Sequence, residues 1–385
     1  KYTESFYNMH TYLISIYPHF HCLGGECPYS CCKGWQVAVD DETWEKYQAV
    51  QGAYGRGLRF HVYKMKGERY LRKLFDRCPY WNSDHCCQFQ VNGETDLMPL
   101  ICRVYPRDSI GCDVETEVTL ELSCIAAARM FLDHPERLEF VPVEENAPVL
   151  WPLDNHENWF YYFLKADRER MLDHIWEKSG EELAACWQTL YAFVYKKHDL
   201  IVMEKFEEAE RVALSNREED LGMYYLNREP TYAFFSIRTI DRMILNQIDY
   251  GNLRRRERAF YNLIQSYRKR FSSFYVEEAD RFFDQKIREM MEAGYGGKYR
   301  SYFAYCIQQL YLRAYETYHV LKEFLFAVLY TQLLMMFDLV DYLDNGEKVA
   351  NLDRQSEILM LCERGVRHNA SLTWNLLQIM RKEFL

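Results

Sequence analysis

Ten of the thirteen cysteines in this 385-residue chain lie between residues 22 and 124, so thiol chemistry is the first possibility that the sequence raises. Thiolates at short spacings can converge on one metal ion or cluster. The opening group has the spacing C-x4-C-x3-C-C, and glycines at 24, 25 and 34 allow the turns that convergence requires. The ten cysteines are Cys22, Cys27, Cys31, Cys32, Cys78, Cys86, Cys87, Cys102, Cys112 and Cys124.

Three explanations of these cysteines are open, and metal or iron–sulfur ligation is favoured over disulfides and over unligated thiols. The odd total, two adjacent pairs and the lack of a visible secretion signal argue against a disulfide framework. A structural zinc ion takes four ligands and an iron–sulfur cluster usually takes four cysteines, so this many thiols exceed one centre. Either two centres exist or some thiols are spectators. Cys186, Cys306 and Cys362 stand singly, and we expect them to be small buried side chains.

Two arginines and a tyrosine follow Cys102 in the segment CRVYPR, residues 102–107. The arginines either neutralise local carboxylates or an anionic thiolate centre, or bind the carboxylate or ribose of a cofactor. The tyrosine serves either in packing, which is favoured, or as a general acid or base. The candidate cofactor-binding residues are therefore Arg103, Tyr105 and Arg107, and no catalytic residue can be assigned.

Signatures of several other enzyme classes are absent from the sequence. There is no P-loop and no HExxH motif, and the glycines at 294–297 follow a predicted helix rather than a strand, which disfavours a dinucleotide-binding fold. The C-x3-C-x2-C spacing of radical enzymes is not met. The formal charge of −10 disfavours nucleic-acid binding. We interpret the basic run at 254–258 as solvated surface and His368 as structural.

Composition divides the chain near residue 145, because nine of the ten prolines lie at or before Pro152 and most cysteines precede residue 125. The sequence predicts an irregular Cys-rich metal-binding module with short strands at 1–145 and a multi-helix domain at 146–385, a mainly α fold. The segment 139–152 is expected to be a linker or an extended crossing. Apolar residues at three- and four-residue spacing predict helices at about 156–176, 181–212, 237–248, 255–293, 299–340 and 354–380.

Shorter elements are also expected in the first part: strands at 37–40 and 116–122, and helices at 41–51 and 123–132. The most apolar run, Phe324–Phe337, covers 14 residues, whereas a membrane span needs about 20. We therefore expect a buried core helix and no membrane span. Because no signal peptide is visible, the expected location is cytoplasmic.

The ordered motifs resemble the flagellin lysine-N-methylase family. The resemblance rests on C-x4-C-x3-CC-x-GW at 22–35, RCP at 77–79, Cys87, CR-x-YPR at 102–107, LSC at 122–124 followed by AAR at 127–129, and RHN at 367–369. These motifs are dense over 22–129 and thin afterwards. Ile125 and Ala126 stand where the family has Pro-Glu, and Cys86 and Cys112 are extra to its pattern.

The resemblance implies methyl transfer from S-adenosylmethionine to lysine Nε of flagellin, by an enzyme that holds an iron–sulfur centre. We expect a 4Fe-4S cluster, with zinc as the alternative, in a structural or cofactor-anchoring role because the radical spacing is missing. The alternative function is a non-catalytic zinc- or iron-binding or redox-sensing protein. The expected ligands are Cys22, Cys27, Cys31, Cys32, Cys78, Cys87, Cys102 and Cys124.

Overall fold

The structure is a computed structural model, and helices dominate it, which confirms the predicted mainly α fold class. The division of the chain at residue 145 stays a prediction. The structure describes residues 10–33, 35–73, 75, 77–112, 115–144, 151–153, 158–178, 182–214, 229–243, 245, 251, 253 and 257–368.

A five-stranded mixed sheet lies in the first part of the chain, in the order β6-β1-β5-β4-β7. Strand β1 pairs in parallel with β5 and antiparallel with β6, while β4 pairs antiparallel with β5 and in parallel with β7. A separate hairpin joins β2 and β3. The strands are β1 His10–Ile14, β2 Val62–Met65, β3 Glu68–Leu71, β4 Arg107–Gly111, β5 Glu115–Leu120, β6 Phe140–Val143 and β7 Trp151–Pro152.

The predicted strand at 116–122 corresponds to β5, whereas the strand predicted at 37–40 is wrong. Only Ala38 forms a bridge there, with Tyr70 of the hairpin. The described parts of the segment 139–152 contribute β6 and β7 to the two edges of the sheet. Its remaining part, residues 145–150, lies outside the described residues.

Five short helices connect these strands, and three cysteines lie at helix starts: Cys102 in α4, and Cys87 and Cys124 immediately before α3 and α5. Helix α1 begins at Asp41, as the acidic first turn predicted. Asp40 caps it, because its carboxylate accepts hydrogen bonds from the N–H groups of Thr43 (3.0 Å) and Leu100 (2.7 Å). That second bond also fixes the start of α4. The helices are α1 Asp41–Ala49, α2 Gly52–Phe60, α3 Gln88–Val91, α4 Leu100–Val104 and α5 Ile125–Asp133.

Ten helices, several of them long, make up most of the rest of the described chain. They are α6 Asn158–Glu177, α7 Leu183–Val202, α8 Phe206–Glu210, α9 Ile237–Met243, α10 Arg258–Phe271, α11 Val276–Met290, α12 Gly296–Leu310, α13 Ala314–Thr317, α14 Val320–Asp344 and α15 Leu352–Cys362. A π-helical turn, Glu363–Arg367, extends α15. The predicted helix over 354–380 can be followed only as far as residue 368, and the rest lies outside the described residues.

Helix α14 is the centre of the helical array and is apolar on all sides. It is long and apolar enough to cross a membrane, yet its most apolar window is completely buried inside the protein. The apolar run Phe324–Phe337 is thus a core helix, as expected. Helices α7, α10, α12 and α15 pack around it.

Buried apolar side chains form two clusters. The larger one joins the five-stranded sheet and α5 to the long helices, and it includes Ile14, Leu120 and Phe131. The smaller one lies among α1, α2, α3 and the hairpin, and its members are Val37, Val39, Tyr47, Leu58, Leu71, Tyr80, Phe89 and Met98. The sheet therefore shares a core with the helices that follow it in sequence.

A cysteine-lined cavity as the candidate functional site

A cavity of about 300 Å³ lies where the two clusters of apolar side chains meet. All thirteen cysteines are described, and none forms a disulfide. Cys112 is 5% exposed at the end of β4 and does not line the cavity. The cysteines that do line it are the eight expected ligands and one more: Cys22, Cys27, Cys31, Cys32, Cys78, Cys86, Cys87, Cys102 and Cys124. As expected, Cys186, Cys306 and Cys362 are buried elsewhere.

The first cysteine loop owes its shape to two glycines. Gly24 has a φ of 55°, in the left-handed region, and begins a single 3-10 turn. A Cβ on Gly25 would lie 2.8 Å from the Asp84 carbonyl oxygen and 2.9 Å from Cys86 Sγ. Only glycine therefore lets the first and second cysteine loops approach this closely.

Backbone hydrogen bonds hold the second loop against the first. The N–H of Cys78 donates to the carbonyl of Cys32 at 3.0 Å. Trp81 bridges to Cys87, and the Asn82 side chain accepts the N–H of Cys86 at 2.9 Å. The remaining two cysteines come from helix starts, since Cys102 lies in the first turn of α4 and Cys124 is the N-cap residue of α5.

The thiols of the cavity perturb one another. Burial raises the pKa of the Cys102, Cys27 and Cys124 thiols above the ordinary value, and Arg364 partly offsets the effect at the last two. A hydrogen bond with Cys32 raises the pKa of Cys31 and lowers that of Cys78. Because metals bind the thiolate, a cation in the cavity would displace protons from these groups.

Arg364 is the cavity residue that sequence reasoning missed as part of the site. It lies in the π-helical turn after α15, and its Nε donates to the carbonyl of Ser123 at 2.7 Å. Its guanidinium carbon is 5.8 Å from the centre of the Tyr29 ring. A basic residue so far along the chain gives no sequence signal of a contact with the last cysteine motif.

The three predicted cofactor-binding residues, Arg103, Tyr105 and Arg107, all line the cavity. The buried Nε of Arg103 has no hydrogen-bond partner among the described residues, so it is a donor that a ligand could satisfy. Burial raises the pKa of Tyr105, whose hydroxyl lies 3.0 Å from Ser123 Oγ, so this phenol stays protonated at neutral pH. Arg107 instead donates to the Tyr17 hydroxyl.

A wider groove of about 830 Å³ adjoins the cavity. The two share His21, Leu23, Tyr29 and Ala126. Ion pairs Arg129–Asp353 and Arg354–Glu357 line the groove, together with the carboxylate of Asp133. Its arginines are thus already neutralised, and the remaining charge of the lining is negative.

Three curated proteins are similar to this chain over part of its length. A lysine-N-methylase of Salmonella choleraesuis is 28% identical over 127 residues, which is 31% of this chain and 32% of that protein. A lysine-N-methylase of Salmonella typhimurium is 28% identical over 126 residues, 31% of each chain. The flagellar biosynthetic protein FliU of Salmonella muenchen is 28% identical over 127 residues, 31% of this chain and 75% of that protein.

The predicted resemblance to the flagellin lysine-N-methylase family is confirmed. The chain matches about a third of the length of the two lysine-N-methylases. No family model matches the chain. No solved structure matches it.

Arg367 and His368, which resemble the closing motif of the lysine-N-methylase family, lie against the last cysteine motif. His368 Nε2 is 2.8 Å from the Glu121 carboxylate, three residues before Cys124, and Arg367 is 3.2 Å from Glu363. The ligand atoms of Glu121, Glu363 and His368 lie within 4.8 Å of one another. Two cations already face these carboxylates, so an ion-pair network explains them. Asn369 and the basic run at 254–256 lie outside the described residues.

The donor set of the cavity fits a thiolate-ligated centre. Its metal-binding atoms are dominated by sulfur, which suits iron–sulfur clusters and zinc. Arg364, Arg103 and Arg107 line the same cavity and would offset the negative charge of several thiolates.

Proposed function

We propose that this chain is a protein-lysine N-methyltransferase that uses S-adenosylmethionine, carries an iron–sulfur centre and acts on flagellin. The observation that carries the proposal is the convergence of eight motif cysteines with three arginines beside an open, acidic groove. The names of the similar Salmonella proteins support the lysine substrate and the flagellar context. Each further step rests on the chemistry of the residues around the cavity.

The reaction requires a neutral lysine amine. With a reference pKa near 10.4, only about one lysine in 10³ is neutral at pH 7. Once the ammonium has lost a proton to an acceptor, the Nε lone pair bonds to the methyl carbon. The carbon–sulfur bond of the sulfonium breaks in the same step, and its electron pair stays on sulfur as a thioether. The active site must therefore attract the lysine ammonium and supply an acceptor for its proton.

His21 is the proton acceptor that we assign. It lines both the cavity and the groove, so it stands where a lysine in the groove would meet a methyl donor in the cavity. Histidine is the side chain that ordinarily exchanges protons near neutral pH. The acidic lining of the groove, with Asp133 and the paired Asp353 and Glu357, favours a lysine-bearing segment over an acidic one.

The amino-acid end of S-adenosylmethionine needs a cation for its carboxylate. Arg103 offers a buried Nε without a partner, and Arg364 offers an Nη2 with no hydrogen bond to the described residues. Charge-assisted bonds from arginine to a carboxylate are among the stronger hydrogen bonds in proteins. The cavity is small for the whole cofactor, so its nucleoside would extend into the groove.

The ligands of an inorganic centre would come from the eight expected cysteines, four of which suffice for one iron–sulfur cluster. Sulfurs around one zinc ion stand about 3.8 Å apart, as follows from a tetrahedron with Zn–S bonds of ~2.3 Å. Among the described residues, no three cysteine sulfurs lie within 4.8 Å of one another. The wider spacing suits a cluster in which each thiolate binds a different iron. When bound, such a cluster supplies an electrophilic or redox-active anchor for the cofactor.

The test is methylation by protein purified without oxygen, with flagellin and methyl-labelled S-adenosylmethionine as substrates. We expect label on lysine, and a His21→Gln variant that loses at least 10-fold in rate, with the largest loss at neutral pH. A Cys186→Ser variant, altered at a buried thiol outside the cavity, is the matched control and should retain activity. Unlabelled flagellin in the presence of iron-loaded protein would refute the proposal.

A metal-binding or redox-sensing protein without catalysis is the second candidate, favoured by the number of thiols in the cavity. This candidate predicts bound metal but no saturable binding of S-adenosylmethionine by calorimetry. The methyltransferase proposal predicts bound metal and saturable binding of S-adenosylmethionine.

A further inference from the structure

The β2–β3 hairpin and its flanking residues carry a concentration of positive charge that the proposed function does not use. The whole chain has a formal charge of −10, yet eight basic residues and only two acidic ones lie between residues 56 and 77. A strongly basic region on an otherwise acidic protein attracts acidic partners to that region. The basic residues are Arg56, Arg59, Lys64, Lys66, Arg69, Arg72, Lys73 and Arg77.

Two lysines of the hairpin are not neutralised within the described part of the chain. Arg69 pairs with Asp41 at 2.6 Å, whereas Lys64 and Lys66 are exposed and form no ion pair with a described residue. Lys64 also lies directly opposite Arg69, and like charges in this arrangement are destabilising. By contrast, Arg137 bridges three carboxylates. The hairpin therefore keeps cations at its surface that are available to a partner.

The two strands of the hairpin differ in whether their outer edges are covered. Strand β3 is covered by the segment before α1, because Leu71 N–H donates to the Val37 carbonyl at 2.9 Å and Val39 N–H donates to the Arg69 carbonyl at 2.8 Å. In an antiparallel pair, residues that exchange both hydrogen bonds alternate with residues that direct their backbone groups outward. Arg69 and Leu71 are thus outward-directed residues of β3.

The register shows which backbone groups of β2 point outward on the other side. Lys64 pairs with Arg69 and Val62 pairs with Leu71, so Val62 and Lys64 direct their N–H and carbonyl groups away from the hairpin. Neither residue has a backbone hydrogen bond to another described residue on that side. An edge strand with unpaired backbone groups is a template for pairing with a further strand.

We propose that the outer edge of β2 binds an extended acidic segment of a partner protein as an added β-strand. Backbone hydrogen bonds to Val62 and Lys64 give affinity, and carboxylates beside Lys64 and Lys66 give specificity. Nucleic acid is the less suitable occupant, because it has no peptide groups to pair with the edge and the overall negative charge of the chain repels phosphates. The proposal goes beyond the proposed function and does not depend on methyl transfer.

The two faces of β2 define the sequence pattern of the partner segment. Lys64 lies on the same face as Arg69, while Tyr63 and Met65 lie on the other face, where Met65 is 40% exposed. An added strand places its side chains beside those of β2 on the same two faces. The segment that fits therefore alternates acidic and apolar residues, and its carboxylates relieve the repulsion between Lys64 and Arg69.

The test is fluorescence anisotropy with the full chain and a labelled peptide of about eight residues that alternates Glu and Val, long enough to cover the edge. We expect saturable binding that weakens as the salt concentration rises, and much weaker binding of a peptide that alternates Lys and Val. Arg211→Ala is the control variant and should bind as wild type, because this residue is 78% exposed on a different part of the chain.

The decisive comparison is between Lys64→Ala and Lys64→Pro. Both remove the charge, but proline also removes the outward N–H, and it leaves the hydrogen bonds within the hairpin intact. Lys64→Pro should bind the Glu–Val peptide about 3- to 10-fold more weakly than Lys64→Ala, as expected for the loss of one hydrogen bond. Thermal unfolding checks that both variants are folded. Hydrogen exchange of wild-type protein over residues 62–65, which the peptide should slow, gives a second readout that needs no variant.

Several outcomes would overturn the proposal. Equal affinities of folded Lys64→Pro and Lys64→Ala, or unchanged hydrogen exchange at saturation, would show that no strand is added. Equal binding of the Glu–Val and Lys–Val peptides would show that charge does not select the partner. Displacement of the peptide by a single-stranded oligonucleotide at lower concentration would assign the face to nucleic acid, and a dimer that Lys64→Pro dissociates would assign the edge to a second copy of this chain. Because neither flagellin nor S-adenosylmethionine is present, these results are independent of whether the chain methylates lysine.

Discussion

Arg364 joins the end of the described chain to the last cysteine motif through its bond to the Ser123 carbonyl. It is only 16% exposed, and it lines the cavity. A largely buried cation whose Nη2 makes no hydrogen bond to the described residues is suited to bind the carboxylate of a cofactor.

We predict that Arg364→Gln weakens the binding of S-adenosylhomocysteine about 10- to 100-fold, because a hydrogen bond to a charged group contributes roughly 1.5–3 kcal/mol. Isothermal calorimetry on the metal-loaded protein measures this change. Arg211→Gln is the control, since that residue is 78% exposed, pairs with Glu207 and lines neither the cavity nor the groove. Equal affinity in both variants would remove Arg364 from the cofactor site.

The contact between His368 and Glu121 gives a pH dependence of stability. Although burial opposes both shifts, the Glu121 charge raises the pKa of His368, and the His368 and Arg367 charges hold the pKa of Glu121 below its ordinary range. The raised histidine pKa contributes stability that is complete below about pH 6.5 and is lost as the pH rises through the folded value. The lowered carboxyl pKa contributes stability above about pH 4.3 that is lost on acidification.

A double-mutant cycle with Glu121→Gln and His368→Gln should therefore show more coupling at pH 6 than at pH 9. We expect about 1 kcal/mol at pH 6, a modest value because the His368 side chain is 41% exposed and solvent screens the pair. Urea unfolding at the two pH values measures it. The pair His134–Glu136, also at 2.8 Å, is the matched control and should show less coupling, because Glu136 is 59% exposed whereas Glu121 is 12% exposed. Coupling that is equal at both pH values would contradict the assigned pKa shifts.

At the scale of elements, the turn that carries Arg364 is held close to α10. A Cβ on Gly365 would overlap the ring of Phe260, which is 1% exposed and packs edge-on against Phe337. The glycine within this helical pattern thus permits close approach of the π-helical turn, Glu363–Arg367, to α10.

Gly365→Ala should destabilise the protein by about 1–3 kcal/mol and also weaken S-adenosylhomocysteine binding, because relief of the overlap displaces the neighbouring Arg364. Phe260→Leu in the same chain should recover part of both losses. Gly297→Ala is the control, since nothing lies within 4 Å of its added Cβ. Thermal unfolding and calorimetry measure the two effects. If the effects of Gly365→Ala and Phe260→Leu simply add in the double variant, residues 365 and 260 do not touch.

The helices were predictable from apolar periodicity, but their breaks were not. The predicted helix at 181–212 is two helices, α7 and α8, and that at 299–340 is interrupted before α14. Glu204 and Tyr318 adopt left-handed backbone conformations at these breaks, with φ of 58° in each case. Neither residue is a glycine or proline, so the sequence carries no turn signal at either break, although local backbone hydrogen bonds close both helix ends.

The strand order of the sheet and part of the site could not be predicted, because they depend on contacts between residues that are distant in sequence. Strand β1 pairs with β5 after about a hundred intervening residues, a choice of partner that no local pattern encodes. The convergence of the cysteines could be expected from their spacing, because several thiolates can bind one metal centre only when they lie close together. Arg364 could not be assigned, because 241 residues separate it from Ser123.

For the whole molecule, the two apolar clusters indicate which region depends on the metal. The smaller cluster has only eight buried members, and three cysteines of the cavity pack against it. The sheet and α5 share the larger cluster with the long helices. Structural zinc sites contribute about 10–16 kcal/mol, comparable to the whole stability of a domain.

Removal of the metals with a chelator should therefore unfold the region of α1, α2 and the β2–β3 hairpin while β5, α5 and α14 remain folded. Hydrogen exchange followed by mass spectrometry measures this, with loss of protection expected across residues 41–71 and retained protection across 320–344. The Cys102→Ser variant should show the same pattern without a chelator, because Cys102 packs against the smaller core, whereas Cys124→Ser should not, because Cys124 packs against the larger one. Simultaneous loss of protection in both regions would mean that the metals stabilise the larger core as well. In that case the chain would fold as one cooperative unit, and the predicted boundary near residue 145 would have no thermodynamic counterpart.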